Sequence, residues 1–148
     1  MTVLDLGCGP GFFTLDMAQM VGTSGHVIAA DLQDGMLQII GSKIRGTEVA
    51  DRVTLHKCDE RGIGLSEDVD FVLAFYMVHE IPGQQGLFAE LATILKPNGR
   101  ILVVEPPFHV SKKAFETTVT TANQVGLTDL ERPRIFPNKA VLLGKALH

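Results

Sequence analysis

Short apolar runs alternate along the chain with stretches in which apolar residues recur every three or four positions. This is the pattern of strands alternating with amphipathic helices. Residues 2–6 (Thr-Val-Leu-Asp-Leu) predict a first strand. Residues 11–21 carry Phe12, Leu15, Met17, Ala18 and Val21 at near-helical spacing, and Gly22 and Gly25 end that helix. Residues 26–30 (His-Val-Ile-Ala-Ala) predict a buried strand closing on Asp31. Residues 34–45 repeat the helical period through Met36, Leu37, Ile39, Ile40 and Ile44. Residues 52–57 predict a strand with Val53 and Leu55 inward. Residues 69–75 are almost all apolar, as expected of a parallel strand covered on both faces. Residues 84–95 place Leu87, Phe88, Leu91, Ile94 and Leu95 on one helical face, and Pro97-Asn98-Gly99 stops the helix. Residues 100–105 predict another buried strand, ended by Pro106-Pro107. Residues 111–125 predict a helix capped by Ser111. Residues 128–136 and 139–147 read as two strands joined at Pro137-Asn138, close enough to be antiparallel.

Repeated strand–helix units predict an α/β fold. The expected architecture is a Rossmann-like, doubly wound, mostly parallel sheet of about seven strands that ends in an antiparallel hairpin. Such sheets bind ligands at the carboxyl ends of their strands. The 148 residues fit one domain, spanning 1–148, and can bury a core without staples. No repeat, low-complexity segment or linker interrupts them.

Composition narrows the function. No apolar run approaches the ~20 residues of a bilayer span, and no signal-peptide pattern opens the chain. The net charge of −4 argues against nucleic acid as a partner. Arg132, Arg134 and Lys139, the nearest approach to a basic patch, read as a solvated turn. Cys8 and Cys58 form no CxxC and have no histidine at metal-ligand spacing, so the expectation is a reduced, cytoplasmic setting and no metal site. Tryptophan is absent and tyrosine occurs once, so platforms for stacking bases are scarce.

The chemistry concentrates after the first strand. Gly7, Gly9 and Gly11 permit left-handed backbone and close approach of a ligand. The helix behind them offers N–H groups and a partial positive charge, suited to a carboxylate or phosphate. A tight strand–helix turn with no ligand reads the same way. Asp31 closes the second strand, where an acid can accept hydrogen bonds from both hydroxyls of a ribose; a helix cap is the plainer role. Three features separate the nucleotide classes that share these elements. A dinucleotide fold asks for G-x-G-x-x-G, whose third glycine falls at Phe12. Asp5, two residues before Gly7, would oppose a pyrophosphate but suits an ammonium. The C-terminal hairpin is unusual in a dinucleotide domain, which leaves a nicotinamide-dependent dehydrogenase as the weakest reading.

With these residues in place, the chain resembles the class I S-adenosylmethionine-dependent methyltransferases over nearly its full length. Val-Leu-Asp-Leu-Gly-Cys-Gly-Pro-Gly at 3–11 is similar to the family's first motif. Val27-Ile28-Ala29-Ala30-Asp31 with Gly35-Met36-Leu37 is similar to the second. Cys58-Asp59, Asp70-Phe71-Val72 and Leu95-Lys96-Pro97-Asn98-Gly99-Arg100 match later ones. Tyr76-Met77-Val78-His79-Glu80 looks most like the small-molecule branch, such as quinone-biosynthesis or arsenite methyltransferases. Nothing resembles the Asn-Pro-Pro-Tyr of amino-nitrogen DNA methylases, since this chain reads Ala74-Phe75-Tyr76-Met77 there.

The resemblance implies a cofactor site for S-adenosylmethionine. Asp5 would hold the methionyl amine, and the backbone of Gly7, Cys8, Gly9 and Gly11 would line the methionyl moiety. Asp31 would take the ribose hydroxyls, Leu32 and Met36 would flank the adenine, and Asp59 would accept the adenine amino group. Glu60 would add a backbone N–H, and Phe75 would lie under the sulfonium. It implies in-line methyl transfer to a small-molecule acceptor, for which alignment supplies most of the rate and a base removes a proton when the nucleophile is neutral. Base candidates are His79 and Glu80 after the fourth strand and Glu105 and His109 after the fifth. His79 is the first choice, with Tyr76 as an orienting donor. In the family's strand order Cys8 and Cys58 would lie two strand spacings apart, roughly 9–10 Å and beyond disulfide reach, with Cys8 packed behind the turn.

One departure carries weight. The family has helices ahead of the first strand that close over the cofactor, whereas here the first strand begins at Thr2. The expectation is therefore a core fragment with an open cleft. The alternative to catalysis is a non-catalytic or partner-dependent S-adenosylmethionine-binding module, whose cover a partner subunit, a homodimer included, would supply.

Overall fold

The computed structural model describes residues 1–145. Its elements run β1 (Thr2–Leu6), α1 (Thr14–Met20), β2 (His26–Asp31), α2 (Asp34–Ile44), β3 (Val53–Lys57), β4 (Val69–Phe75), α3 (Gln84–Ile94), β5 (Leu95–Glu105), α4 (Lys112–Gln124), β6 (Leu127–Glu131) and β7 (Lys139–Lys145). The sheet order is β3-β2-β1-β4-β5-β7-β6. The first five strands are parallel, and β7 inserts antiparallel between β5 and β6. The expected doubly wound sheet and terminal hairpin are both present.

Alternation along each strand builds the two layers. Leu4, Leu6, Ile28, Ala30, Val72, Ala74 and Ile101 join Phe88, Leu91 and Ile94 of α3 and Phe115 and Val119 of α4 in one core. On the opposite face, Val3 and Val27 pack with Ala18 of α1, and Ala29 packs with Leu37, Ile40 and Ile44 of α2. Ser111 caps α4 as expected, its hydroxyl accepting from the Ala114 N–H at 3.0 Å.

Four expectations need correction. Helix α1 starts at Thr14 rather than residue 11, because Gly7, Gly9 and Gly11 hold φ of +66°, +56° and +93°, which no right-handed helix contains. Strand β5 begins at Leu95, directly where α3 ends. Val69 pairs with Leu95 and Phe71 with Arg100, so Lys96–Gly99 is looped out of the register rather than being a helix stop that precedes the strand. Strand β6 ends at Glu131, short of 136, and its pairing already slips between Asp129 and Glu131. Pro133 and Pro137, which lack a ladder donor, follow. Leu55 is 39% exposed, because β3 is an edge strand and the packing of α2 covers it only in part. The last two residues assigned to the final strand, 146 and 147, lie outside the described residues.

The topology gathers the candidate residues at one rim. Leu6 pairs with Ala30 on one side and Ala74 on the other, which puts the glycine turn between Asp31 and Phe75. The strand order reverses direction here, between β1 and β4, where α/β sheets leave a crevice. Glu105 ends β5 opposite Lys139 at the start of β7, so the β6–β7 turn returns to the same rim.

Candidate active site

The glycine turn is held by its own neighbours. The N–H groups of Gly7 and Cys8 both donate to the Ala30 carbonyl, at 2.9 and 3.1 Å, and Gly11 N–H donates to the Cys8 carbonyl at 3.1 Å. Gly9 N–H donates to Asp31 Oδ2 at 3.0 Å. The N–H groups at Gly7, Cys8, Gly9 and Gly11 are therefore already spent, and the turn is not the open anion cradle that glycine spacing suggests. The missing side chains at Gly7 and Gly11 make room for protein neighbours, and the one at Gly9 leaves open space with nothing within 4 Å. A Cβ on Gly7 would lie 2.9 Å from Met77 Cβ, and one on Gly11 would lie 2.9 Å from Ile40 Cγ1.

Two acids define the chemistry of the turn. Asp5 is 3% exposed and accepts the Thr14 hydroxyl on Oδ2 at 2.6 Å. Burial pushes its pKa up to about 6; the Thr14 hydrogen bond works against that shift, and the nearby Asp31 charge adds to it. An acid so placed gains from a cation. Asp31 accepts Gly9 N–H on Oδ2 and Gln33 N–H on Oδ1, at 3.0 and 2.9 Å. It is thus a brace for the turn as well as a candidate for the ribose, and each oxygen keeps a second lone pair.

The other cofactor candidates line up along the same rim. Leu32 is exposed and Met36 half-buried at the start of α2. Asp59 accepts Arg61 N–H and Gly62 N–H on Oδ1, at 2.7 and 3.2 Å, which shapes the loop after β3, and Glu60 is exposed beside it. Phe75 is edge-on to Phe13, with ring centroids 4.7 Å apart, and stacked on Tyr76 at 4.1 Å. Cys8 is buried and packs with Ala29 and α2, and both cysteines are free thiols whose pKa burial raises, Cys8 to about 12 and Cys58 to about 11.

Of the base candidates, two meet. His79 lies in a single 3-10 turn, Val78–Glu80, just past β4, and its Nδ1 is 3.2 Å from Glu105 Oε1 at the end of β5. Glu105 is 1% exposed, and its Oε2 is buried with no hydrogen-bond partner among the described residues. Burial raises its pKa, and the His79 contacts pull it partly back. His109 is exposed in the turn after β5. Tyr76 adopts φ of +59°, and its hydroxyl bonds Asn138 Oδ1 in the β6–β7 turn, so it braces that turn rather than His79. In the segment read as a solvated turn, Arg132 is paired with Glu116 at 2.6 Å, and Lys139 donates to the Pro107 carbonyl at 3.2 Å. Among the described residues no cluster of three or more metal-ligating side chains forms.

Residues 3–99 match the family described as a methyltransferase domain. The chain belongs to that family. Its similarity to curated methyltransferases is 29% identity to demethylmenaquinone methyltransferase of Lactobacillus johnsonii, over 95% of this chain and 54% of that protein. It is also 32% identical to the ubiquinone/menaquinone biosynthesis C-methyltransferase UbiE of Pasteurella multocida, over 70% of this chain and 39% of the relative. The chain thus spans about half the length of these relatives. Among solved structures, a SAM-dependent methyltransferase from Aquifex aeolicus superposes with a TM-score of 0.82 at 24% identity, covering 97% of this chain and 81% of the other. The glycopeptide N-methyltransferase MtfA, bound to S-adenosyl-L-homocysteine, gives 0.80 at 15% identity, over 98% and 81%. The fold is that of S-adenosylmethionine-dependent methyltransferases.

Sequence reasoning missed four residues of this methyltransferase-family site. Thr14 holds Asp5, and its place at the start of α1 was a usable signal, because small hydroxyl residues gather at helix starts. Met77 fills the space over Gly7, Phe13 abuts Phe75, and Asn138 holds Tyr76. For these three no local pattern exists, since the contacts join segments remote in sequence.

Proposed function

We propose that this chain binds S-adenosylmethionine at the glycine turn and transfers its methyl group to a small-molecule acceptor at the ends of β4 and β5. The observation that carries the reading is Asp5, a carboxylate buried behind a glycine turn and held by a single hydroxyl, with Asp31 beside it. That arrangement fits an amino acid's ammonium with a sugar alongside, and it repels a pyrophosphate. The spent N–H groups of the turn point the same way.

The bound cofactor supplies a methyl group on a sulfonium, which departs as a neutral thioether. The protein's own work is then placement. The backbone of Gly7, Cys8, Gly9 and Gly11 lines the methionyl end, with open space left over Gly9. Asp5 fixes its ammonium. Asp31 and Asp59 accept hydrogen bonds from the ribose and the adenine, with Leu32 and Met36 on the adenine faces and the backbone N–H of Glu60 beside it. Phe75, held between Phe13 and Tyr76, forms the floor beneath the methyl group. Acceptors of the kind named for the quinone methyltransferase relatives are the first to try.

Titration calorimetry with S-adenosylhomocysteine tests the reading. Saturable binding that is lost in Asp5→Ala and Asp31→Ala is the expected result. A folded sample that takes up no cofactor at millimolar concentration would overturn it.

A further inference from the structure

The loop after β3 carries Asp59 and Glu60, and it is held in place from outside itself. Within the loop, Asp59 and Gly62 form an isolated antiparallel bridge, each N–H donating to the other's carbonyl, at 3.2 and 3.3 Å. Asp59 Oδ1 closes the turn on the Arg61 and Gly62 N–H groups. Ile63 then anchors it, its side chain buried in the larger core. The Ile63 carbonyl accepts from His56 Nε2 of β3 at 2.7 Å. The Ile63 N–H is shared between the two carboxylate oxygens of Glu90 on α3, 3.0 Å from each, and Glu90 Oε2 also accepts the Gly64 N–H at 3.3 Å.

Glu90 lies 27 residues from Ile63 in sequence, and its carboxylate is fitted to this one loop. A Cβ on Gly62 would meet Glu90 Oε1 at 2.2 Å, so a bare residue at 62 is what lets the carboxylate come so close. Gly62 does not need the left-handed region, so its missing side chain serves that approach and not the backbone. The consequence falls on Asp59. Its Oδ1 is committed to the turn, while its Oδ2 accepts no hydrogen bond and the Glu60 N–H donates none among the described residues. A free acceptor and a free donor on adjacent residues match the amino group and N1 of a 6-amino purine. A 6-oxo purine presents the opposite pair.

We propose that Glu90 is a positioning residue for the nucleoside end of this site: through the Ile63 and Gly64 N–H groups it fixes the loop that aims Asp59, and so sets the preference for a 6-amino over a 6-oxo purine. This rests on the S-adenosylmethionine reading above and adds to it a helix residue that acts only through the loop. A carboxylate suits the task because it accepts several N–H groups at once in charge-assisted bonds. Without it the Ile63 amide loses its acceptor beside the core, and the loop reorganises to reach water. Asp59 then moves with the loop, and the carboxylate that rejects a 6-oxo group is no longer fixed. The ribose and the methionyl end are held by Asp31 and Asp5 from other strands, so they keep their places.

Amide hydrogen exchange on the full chain tests the tether without any ligand. The Ile63 and Gly64 amides should be protected in the wild type, and Glu90→Ala should speed them about tenfold more than the core amides of Leu4 and Val72. Unprotected Ile63 and Gly64 amides in the wild type overturn the proposal. Calorimetry then compares S-adenosylhomocysteine with its deaminated counterpart, S-inosylhomocysteine. The wild type should prefer the amino purine by about 10–100-fold. Glu90→Ala should weaken S-adenosylhomocysteine by about tenfold and leave S-inosylhomocysteine within about threefold, so that the preference collapses. Gly62→Ala, whose Cβ pushes the carboxylate aside, should do the same and stands in if Glu90→Ala fails to fold. Asp59→Ala should remove the preference by itself, and adding Glu90→Ala to it should remove nothing further. A role in stability alone would lower the melting temperature with the preference intact, and that result, or additive losses in the double variant, overturns the proposal. Wild-type protein that binds S-adenosylhomocysteine with no preference sinks this inference alone, whereas wild-type protein that binds neither compound sinks the cofactor reading and this inference with it.

Discussion

At the scale of single residues, the site contains groups that the fold alone would not choose. Asp5 is buried with one hydrogen bond, from a hydroxyl, among the described residues, and its pKa is raised from 3.8 to about 6. For an acid raised on folding, the sign is unfavourable above the unfolded value. The contribution of Asp5 to stability is fully present below pH 3.8 and is lost as pH rises through about 6, a cost on the order of 1–3 kcal/mol once the group is ionised. Asp5→Asn keeps the Thr14 hydrogen bond and removes the charge. It should therefore raise the stability of the cofactor-free protein by roughly 1–3 kcal/mol at pH 8, read by denaturant melts, and abolish S-adenosylhomocysteine binding. A variant that is less stable at pH 8 would show that Asp5 is satisfied by the protein itself. The glycines give a graded test. All three need positive φ, but a Cβ on Gly9 meets nothing within 4 Å, whereas Gly7 and Gly11 would drive one to 2.9 Å from Met77 and Ile40. Gly9→Ala should cost about 1–2 kcal/mol, the left-handed penalty alone, and Gly7→Ala and Gly11→Ala should each cost more. Equal costs in thermal melts would mean the turn relaxes freely.

At the scale of elements, aromatic rings link three pieces of the rim. Phe13 follows the glycine turn, Phe75 ends β4, and Tyr76 reaches Asn138 between β6 and β7. Tyr76 pays for this with a left-handed backbone, so its partners must over-determine it. Asn138→Ala should cost about 0.5–1.5 kcal/mol and speed amide exchange in the β6–β7 turn before any other segment; unchanged exchange there would show the hydroxyl contact to be idle. These links also explain what the sequence could and could not disclose. Strand and helix identities were legible because Leu4, Ile28, Val72 and Phe88 bury one face and the period follows from burial. The start of α1 was not, since Phe12 fits the helical period while the dihedrals of Gly11 forbid it. The loop-out at Lys96–Gly99 left no hydrophobic trace. Asp5 and Asp31 were legible because each lies at a strand end beside the turn it serves. The contact of His79 with Glu105 spans 26 residues and that of Tyr76 with Asn138 spans 62, so only the strand order brings them together. Tyr76, expected to orient the base, proved to hold the hairpin for the same reason.

At the scale of the molecule, the carboxyl rim is an open, apolar-edged and acidic surface. Phe12, Phe108 and Phe136 are 75%, 94% and 95% exposed around it, while Asp5 and Asp31 supply charge within. Binding at such a rim is coupled to the proton inventory of the whole chain. An ammonium brought to Asp5 favours its carboxylate, so a site that is protonated below about pH 6 when free must ionise as the cofactor binds. The protein should release up to one proton per S-adenosylhomocysteine near pH 5.5 and almost none at pH 8. Over the same range, affinity should rise by as much as tenfold per pH unit below about 6 and level off above it. Calorimetry in buffers of contrasting ionisation enthalpy measures the released proton directly. Glu105 is the other buried acid at this rim, so Glu105→Gln separates the two sources. Release that persists in Glu105→Gln belongs to Asp5, and release that vanishes there would move the coupling to the His79 pair and remove the ammonium from Asp5.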